Sequence, residues 1–301
     1  MSFWEVILQQ SVNGLIVGSF YALVALGYSM VYGIIKLLNF AHADIYMTGA
    51  FVCLSVFGLL STVVGGWLGV ACATLAAMCA AAALGFLAQR FAYRPLLGAP
   101  RLSLLITAIG VSLVIQNTVM VITDKPHFFT SGIDNTAGFR LGGLNITYIQ
   151  IVLIATAALV MLALTLFIGR TMVGKAMRAI ALDQDTCRLM GINVHKIIGL
   201  TFVIGSALAA IAGGMACVYY GSLQYNMGYI IGIKAFTAAV IGGIGSIPGA
   251  MLGGLLLGLL EAFGTQFLGS SWKDAFAFGL LILLLILRPN GLLGKTEIER
   301  M

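Results

Sequence analysis

Residues 169–196 read Gly169-Arg170-Thr171-Met172-Val173-Gly174-Lys175-Ala176-Met177-Arg178-Ala179-Ile180-Ala181-Leu182-Asp183-Gln184-Asp185-Thr186-Cys187-Arg188-Leu189-Met190-Gly191-Ile192-Asn193-Val194-His195-Lys196. This long mixed-charge stretch lies between two uncharged runs, 141–169 and 197–233. Each run is long enough to cross about 30 Å of hydrocarbon, which takes about 20 helical residues. The stretch therefore reads as an aqueous loop between membrane spans, kept large and charged for a soluble partner to grip.

The same contrast extends over all 301 residues, of which 60% are hydrophobic and 9% charged. A soluble protein, with about 25% charged residues, could not clothe its surface this way. The composition predicts an all-α, polytopic helical membrane protein, since a chain in lipid must satisfy its backbone polar groups internally. Thirty-eight glycines suit close packing of such helices. The net charge of +6 is dispersed between apolar runs and gives no nucleic-acid surface. Five cysteines, four of them inside apolar runs, form no C-x-x-C pair and read as small buried hydrophobes. The first apolar run, 6–35, is too long for a cleavable signal.

Spans are expected near 8–32, 45–64, 67–89, 102–122, 148–168, 197–220, 228–246, 248–268 and 272–288. The count is eight or nine, because 228–246 carries Lys234 and several glycines that suit a broken or re-entrant segment, and the last span requires Lys273 to snorkel. Nine crossings with the N-terminus outside and the C-terminus cytoplasmic put Lys36, Arg90, Arg94, Arg101, Arg170, Lys175, Arg178, Arg188, Lys196, Arg288, Lys295 and Arg300 inside. Only Lys125, Arg140 and Lys273 fall outside, and this Lys/Arg bias sets the orientation. The loop 169–196 is then cytoplasmic. The external 123–147 segment reads as a polar connector that a partner outside the cell could meet.

Phosphate-loop look-alikes fail on chemistry. Gly169 to Ala176 nearly spells a Walker A motif, but Ala176 stands where a Ser or Thr would ligate Mg²⁺, and Gly294-Lys295-Thr296 lacks the required Gly. Gly242-Gly243-Ile244-Gly245-Ser246-Ile247-Pro248-Gly249 lies between apolar runs and reads as a tight turn or helix break. His42, His127 and His195 have no metal-ligand spacing. The chain is not expected to be an enzyme, nor to hold a metal or a cofactor.

Ionisable residues at membrane depth are costly and usually serve a pathway or a partner. Lys36-Leu37-Leu38-Asn39-Phe40-Ala41-His42-Ala43-Asp44 lies between the first two spans, near the cytoplasmic boundary. Asn39 is read as a helix cap, and Asn39, His42 and Asp44 as candidate pathway residues of an interrupted helix. Lys234 and Glu261 each lie about thirteen residues from a turn at 247–248. Antiparallel helices would bring them to one depth, about 20 Å from that turn, as an intramembrane ion pair that clamps the arms. The GxxxG spacings Gly14–Gly18, Gly228–Gly232, Gly249–Gly253 and Gly254–Gly258 serve either internal packing or a subunit interface.

Several blocks together resemble the LivH-type permease of branched-chain amino acid ABC importers. They are Asn13-Gly14-Leu15-Ile16-Val17-Gly18-Ser19-Phe20-Tyr21-Ala22-Leu23, Gly27-Tyr28-Ser29-Met30-Val31-Tyr32-Gly33-Ile34, Asn39-Phe40-Ala41-His42, Arg94-Pro95, Leu200 to Gly205 and Lys234 to Ala250. The resemblance covers nearly the whole chain and makes residues 1–301 a single permease domain. It implies a second, similar permease subunit, two cytoplasmic ATPases that bind the ATP and Mg²⁺, and an external amino-acid-binding protein, all working at the inner membrane. It also implies a short cytoplasmic helix with an EAA-x-x-x-G signature that docks on an ATPase. Asp185, Thr186, Cys187, Arg188 and Gly191 carry a degenerate form, with Thr and Cys replacing the two Ala. Family members usually have Gly-Glu after Ala-His, where this chain has Ala43-Asp44. The expected activity is import of a hydrophobic amino acid by alternating access. The alternatives are the same machinery carrying urea, a short amide or a sugar, and an ion-coupled secondary transporter using Lys234, Glu261 and Asp44.

Overall fold

The computed structural model describes residues 3–123, 126–128, 137–141, 144–288 and 290–294. Among them, eight helical segments are long and apolar enough to cross a membrane, and Met227–Gly242 is a shorter apolar helix. The helices are α1 (Phe3–Ile35), α2 (His42–Leu60), α3 (Gly66–Leu87), α4 (Arg101–Ile122), α5 (Tyr148–Arg170), α6 (Met172–Leu182), α7 (Gln184–Leu189), α8 (Val194–Tyr220), α9 (Met227–Gly242), α10 (Ile247–Leu268) and α11 (Lys273–Leu287). The described residues of the expected connector at 123–147 include three short strands. Strands β1 (His127–Phe128) and β4 (Ser222–Leu223) pair antiparallel, and β2 (Gly138–Leu141) pairs with β3 (Leu144–Thr147). Gln9 fixes the β2–β3 hairpin over the start of α1, through 3.0 and 3.2 Å bonds with the Asn145 backbone.

Helix α1 is the axis of the bundle. Its 33 residues span about 50 Å, and from Ile16 to Ile34 most of them are buried on every side. Small residues let α10 lie against it antiparallel. A Cβ on Gly258 would sit 2.2 Å from the Gly18 backbone nitrogen, and one on Gly254 would sit 2.4 Å from that of Ala22. The GxxxG spacings on these two helices are thus filled within the chain. Gly249 and Gly253 face α9, and Gly228 and Gly232 face Ala43 of α2. Helices α2, α3 and α8 pack on the other flank of α1, while α4 and α11 show most of their apolar side chains outward (Leu102, Ile106, Leu113, Ile286). In lipid that exposure carries no hydrophobic cost.

The helix boundaries follow local chemistry. Thr147 and Gln150 form a reciprocal capping box on α5, and Asn193 accepts from the Lys196 N–H at the start of α8. Ser246 caps α10 ahead of Pro248. The preceding glycine run is a turn with left-handed Gly243 (φ 104°) and Gly245 (φ 87°), so α9 stops at Gly242 and is unbroken. Its last carbonyls, on Ile241 and Gly242, accept 2.9 Å bonds from the N–H groups of Leu292 and Leu293. That contact puts the exit of α11 at the same end of the bundle as the α9–α10 turn. The end of α1 is there too, because the Gly245 N–H donates to Ser29 Oγ at 2.9 Å.

Candidate functional site

Helix α1 ends at Lys36, a left-handed residue (φ 57°), and residues 36–41 are non-helical. The chain then turns back into the bundle. Helix α2 starts at His42, whose ring lies over Gly27, so closely that a Cβ there would meet Nε2 at 2.1 Å. Gly27 is eight residues, about 12 Å, short of the end of α1. His42 is therefore about two turns back from the end of α1, inside the bundle. Asn39 is not a side-chain cap: Ala41 occupies that position without a side-chain bond. Asn39 Oδ1 instead accepts from the Tyr93 hydroxyl at 2.6 Å. Asp44 Oδ2 accepts from Ser112 of α4 at 2.5 Å. The His42 ring meets Tyr28 edge-on at 5.0 Å, and its Nε2 has no hydrogen-bond partner. All three candidates are buried, at 4% exposure or less, so they join α1, α2, α4 and the end of α3 inside this one chain.

On the far side of α1, Lys234 Nζ lies 3.1 Å from Glu261 Oε1. The pair belongs to a larger group. Lys273 Nζ is 2.7 Å from the same Oε1, Asp274 Oδ1 is 2.7 Å from Lys234, and the Tyr21 hydroxyl donates to Glu261 Oε2 at 2.8 Å. Lys273 thus turns inward rather than snorkelling outward. Two cations and two carboxylates give zero net charge, which suits the burial of Lys234 and Glu261 while Lys273 and Asp274 stay 39% and 64% exposed. The cluster ties α1, α9, α10 and α11 together. Lys273 and Asp274 were legible as a charged pair at the head of an otherwise apolar helix. Nothing in the sequence linked Tyr21 to them.

The 169–196 loop folds as two short helices at the end of the bundle that also holds the α9–α10 turn. Helix α6 buries Gly174, Met177 and Ile180 and leaves Met172, Lys175 and Leu182 exposed. Arg178 donates to the carbonyls of Ile168 and Gly169, which binds α6 to the end of α5. Asp183 caps α7 by accepting from the N–H groups of Asp185 (2.9 Å) and Thr186 (3.1 Å). The Thr186 hydroxyl, with those two N–H groups, holds the Asp183 carboxyl below its usual range. Asp185 and Arg188 form an exposed ion pair at 3.3 Å, of little energetic consequence. Cys187 is buried, Gly191 is left-handed (φ 81°), and Leu189 and Met190 are 90% and 77% exposed. Gln184 Nε2 donates to the Ile34 carbonyl at 2.9 Å, so α7 is bonded to the last turn of α1.

The family model for the branched-chain amino acid transport system permease component matches residues 10–285. The chain is 49% identical over 306 aligned positions to the high-affinity branched-chain amino acid transport system permease protein BraD of Pseudomonas aeruginosa, covering 97% of each protein. It is 44% identical over 302 positions to the LivH permease protein of Escherichia coli K12, again covering 97% of each. Among solved structures, it superposes with a TM-score of 0.53 on a chain described as a metal-chelate type ABC transporter in an inward-facing conformation. Sequence identity there is 16%, over 95% of this chain and 89% of that one, a likeness of fold alone. Taken with the buried helical bundle, these matches establish that the chain belongs to the family of branched-chain amino acid transport permease components.

Proposed function

We propose that this chain is one of two permease subunits in an inner-membrane, ATP-driven importer of branched-chain amino acids. A periplasmic binding protein delivers the substrate, and the chain itself performs no catalysis. ATP and Mg²⁺ are held by two cytoplasmic ATPases. The N-terminus lies outside, because that orientation puts the Lys/Arg excess and the α6–α7 element in the cytoplasm.

The observation that carries the coupling role is the α6–α7 element. It offers Leu182, Leu189 and Met190 to solvent while bonded to α5 through Arg178 and to α1 through Gln184. A groove on an ATPase that accepts the 185–191 element and its apolar tips would move these contacts as a rigid body. Through Gln184 the motion reaches the axial helix directly, which suits alternating access. Asn39, His42 and Asp44 act as the inner joint between α2, α4 and α1, next to the pathway, and the Lys234–Glu261 group acts as the clamp on α9–α11.

The test is leucine uptake by the assembled complex in liposomes, with ATP inside and binding protein outside. Replacing Asp185 and Gly191 should abolish uptake and substrate-stimulated ATP hydrolysis while the complex remains assembled. ATP-driven uptake of another solute in place of leucine would overturn the substrate assignment. Uptake by the chain alone under an ion gradient would overturn the importer.

A further inference from the structure

A cavity of about 480 Å³ opens between the end of α3 and the start of α8, at the same end of the bundle as α6 and α7. Four basic side chains line it: Arg90, Arg94, His195 and Lys196. Among the described residues, no carboxylate does. The α3 helix leaves the bundle there through a wide π-turn, 88–93, in which the Arg94 N–H donates to the Gln89 carbonyl five residues back. Gln89 also lines the cavity. It is 3% exposed, and its Nε2 donor has no partner. A buried, unused N–H₂ group is a cost that a ligand acceptor removes. Asn193, which caps the 27-residue α8 by accepting from the Lys196 N–H, completes the polar wall.

The wall changes character along α8. Gly199, Leu200 and Val203, with Phe86 of α3, continue the cavity toward the middle of the bundle as an apolar groove. A soluble anion has no use for that groove. A phospholipid uses both parts, with its phosphate among the cations and an acyl chain along Phe86, Leu200 and Val203. Basic pockets between transmembrane helices recognise anionic headgroups in this manner. We propose that this cavity is a binding site for an anionic phospholipid, with the Gln89 amide donating to a phosphate oxygen and Arg90, Arg94 and Lys196 neutralising its charge.

The experiment is native mass spectrometry of the full chain, purified with its partner subunits in mild detergent, delipidated and titrated with phosphatidylglycerol or with phosphatidylcholine of the same acyl chains. The wild type should retain one phosphatidylglycerol in preference to phosphatidylcholine. Each of Arg90→Gln, Arg94→Gln and Lys196→Gln should weaken that adduct about fivefold, and the triple variant about 100-fold. Gln89→Leu, which keeps the volume and the cations, should also weaken it. Equal binding of the two lipids by the wild type would overturn the proposal without recourse to any variant. Displacement of the lipid by millimolar inorganic phosphate would overturn it in favour of a soluble phosphate ligand. Loss of the ATPase subunits from the triple variant, with lipid binding unchanged, would overturn it in favour of a protein contact.

Discussion

Replacing Glu261 by Leu tests the half-buried charge cluster most sharply. In the wild type Lys234 and Lys273 are balanced by Glu261 and Asp274. The single change leaves two cations facing one carboxylate, a net +1, whereas Lys234→Met leaves a net −1. Removing one partner of an isolated buried pair costs about 3–5 kcal/mol, and the cost here falls below that, because Lys234 keeps Asp274 at 2.7 Å and Glu261 keeps Lys273 at 2.7 Å. Lys234, whose side chain is 4% exposed, is then left with the 64% exposed Asp274 as its counter-ion, while Lys273 at 39% can turn toward solvent. The double replacement Lys234→Met with Glu261→Leu returns the cluster to zero charge with Lys273 and Asp274 remaining. It should therefore be far more stable than the sum of the singles. What it still lacks is an acceptor for the Tyr21 hydroxyl, whose bond to the carboxylate contributes about 1.5–3 kcal/mol. Adding Tyr21→Phe should recover most of that remainder. Thermal melting of the purified complex should rank wild type and triple variant highest, the double next, and both singles lowest. A double variant that melts below either single would refute the charge-balance argument.

Three further outcomes follow from specific contacts. Gly258→Ala places a Cβ 2.2 Å from the Gly18 backbone and should cost about 1–3 kcal/mol or more, whereas Gly58→Ala meets nothing within 4 Å and should be neutral or stabilising by about 0.5–1 kcal/mol; melting temperatures compare them. The Asp183 carboxyl, held below its usual range by Thr186, contributes its capping fully above the unfolded pKa of about 3.9 and loses it as pH falls through the lower folded value. Hydrogen exchange of α7 amides should therefore show no Asp183-dependent change from pH 7 to 5, and Asp183→Ala should expose the Asp185 and Thr186 amides at neutral pH. Ser112→Ala removes the 2.5 Å donor to Asp44 and should destabilise the chain by about 1.5–3 kcal/mol, whereas Ser112→Thr, which keeps a hydroxyl, should be tolerated better in the same melting assay.

The positions of Lys234 and Glu261 were readable because a turn and a constant helical rise convert residue counts into depth. The same arithmetic could not reach Tyr21, 240 positions from Glu261, because no local rule connects distant segments. The 36–44 segment shows the complementary limit. Its polarity marked it, but the Asn39 side chain was assigned to a local cap. Asn39 instead bonds to Tyr93, in the π-turn that follows α3. Gln89 and the cations around it were visible only as part of a Lys/Arg bias until α3 and α8 came together.

By itself the sequence determined that the chain is a helical membrane bundle and where its long apolar segments lie, because hydrocarbon thickness and the cost of exposed backbone act on contiguous residues. Only the tertiary structure decided which helix is the axis, which glycines meet, how four charges and a tyrosine share one site, and that α7 is bonded to the end of α1. In lipid, apolar side chains gain nothing by leaving one neighbour for another. Helix partners are therefore set by close backbone contact and by the pairing of a few polar groups, and both depend on residues far apart in the chain.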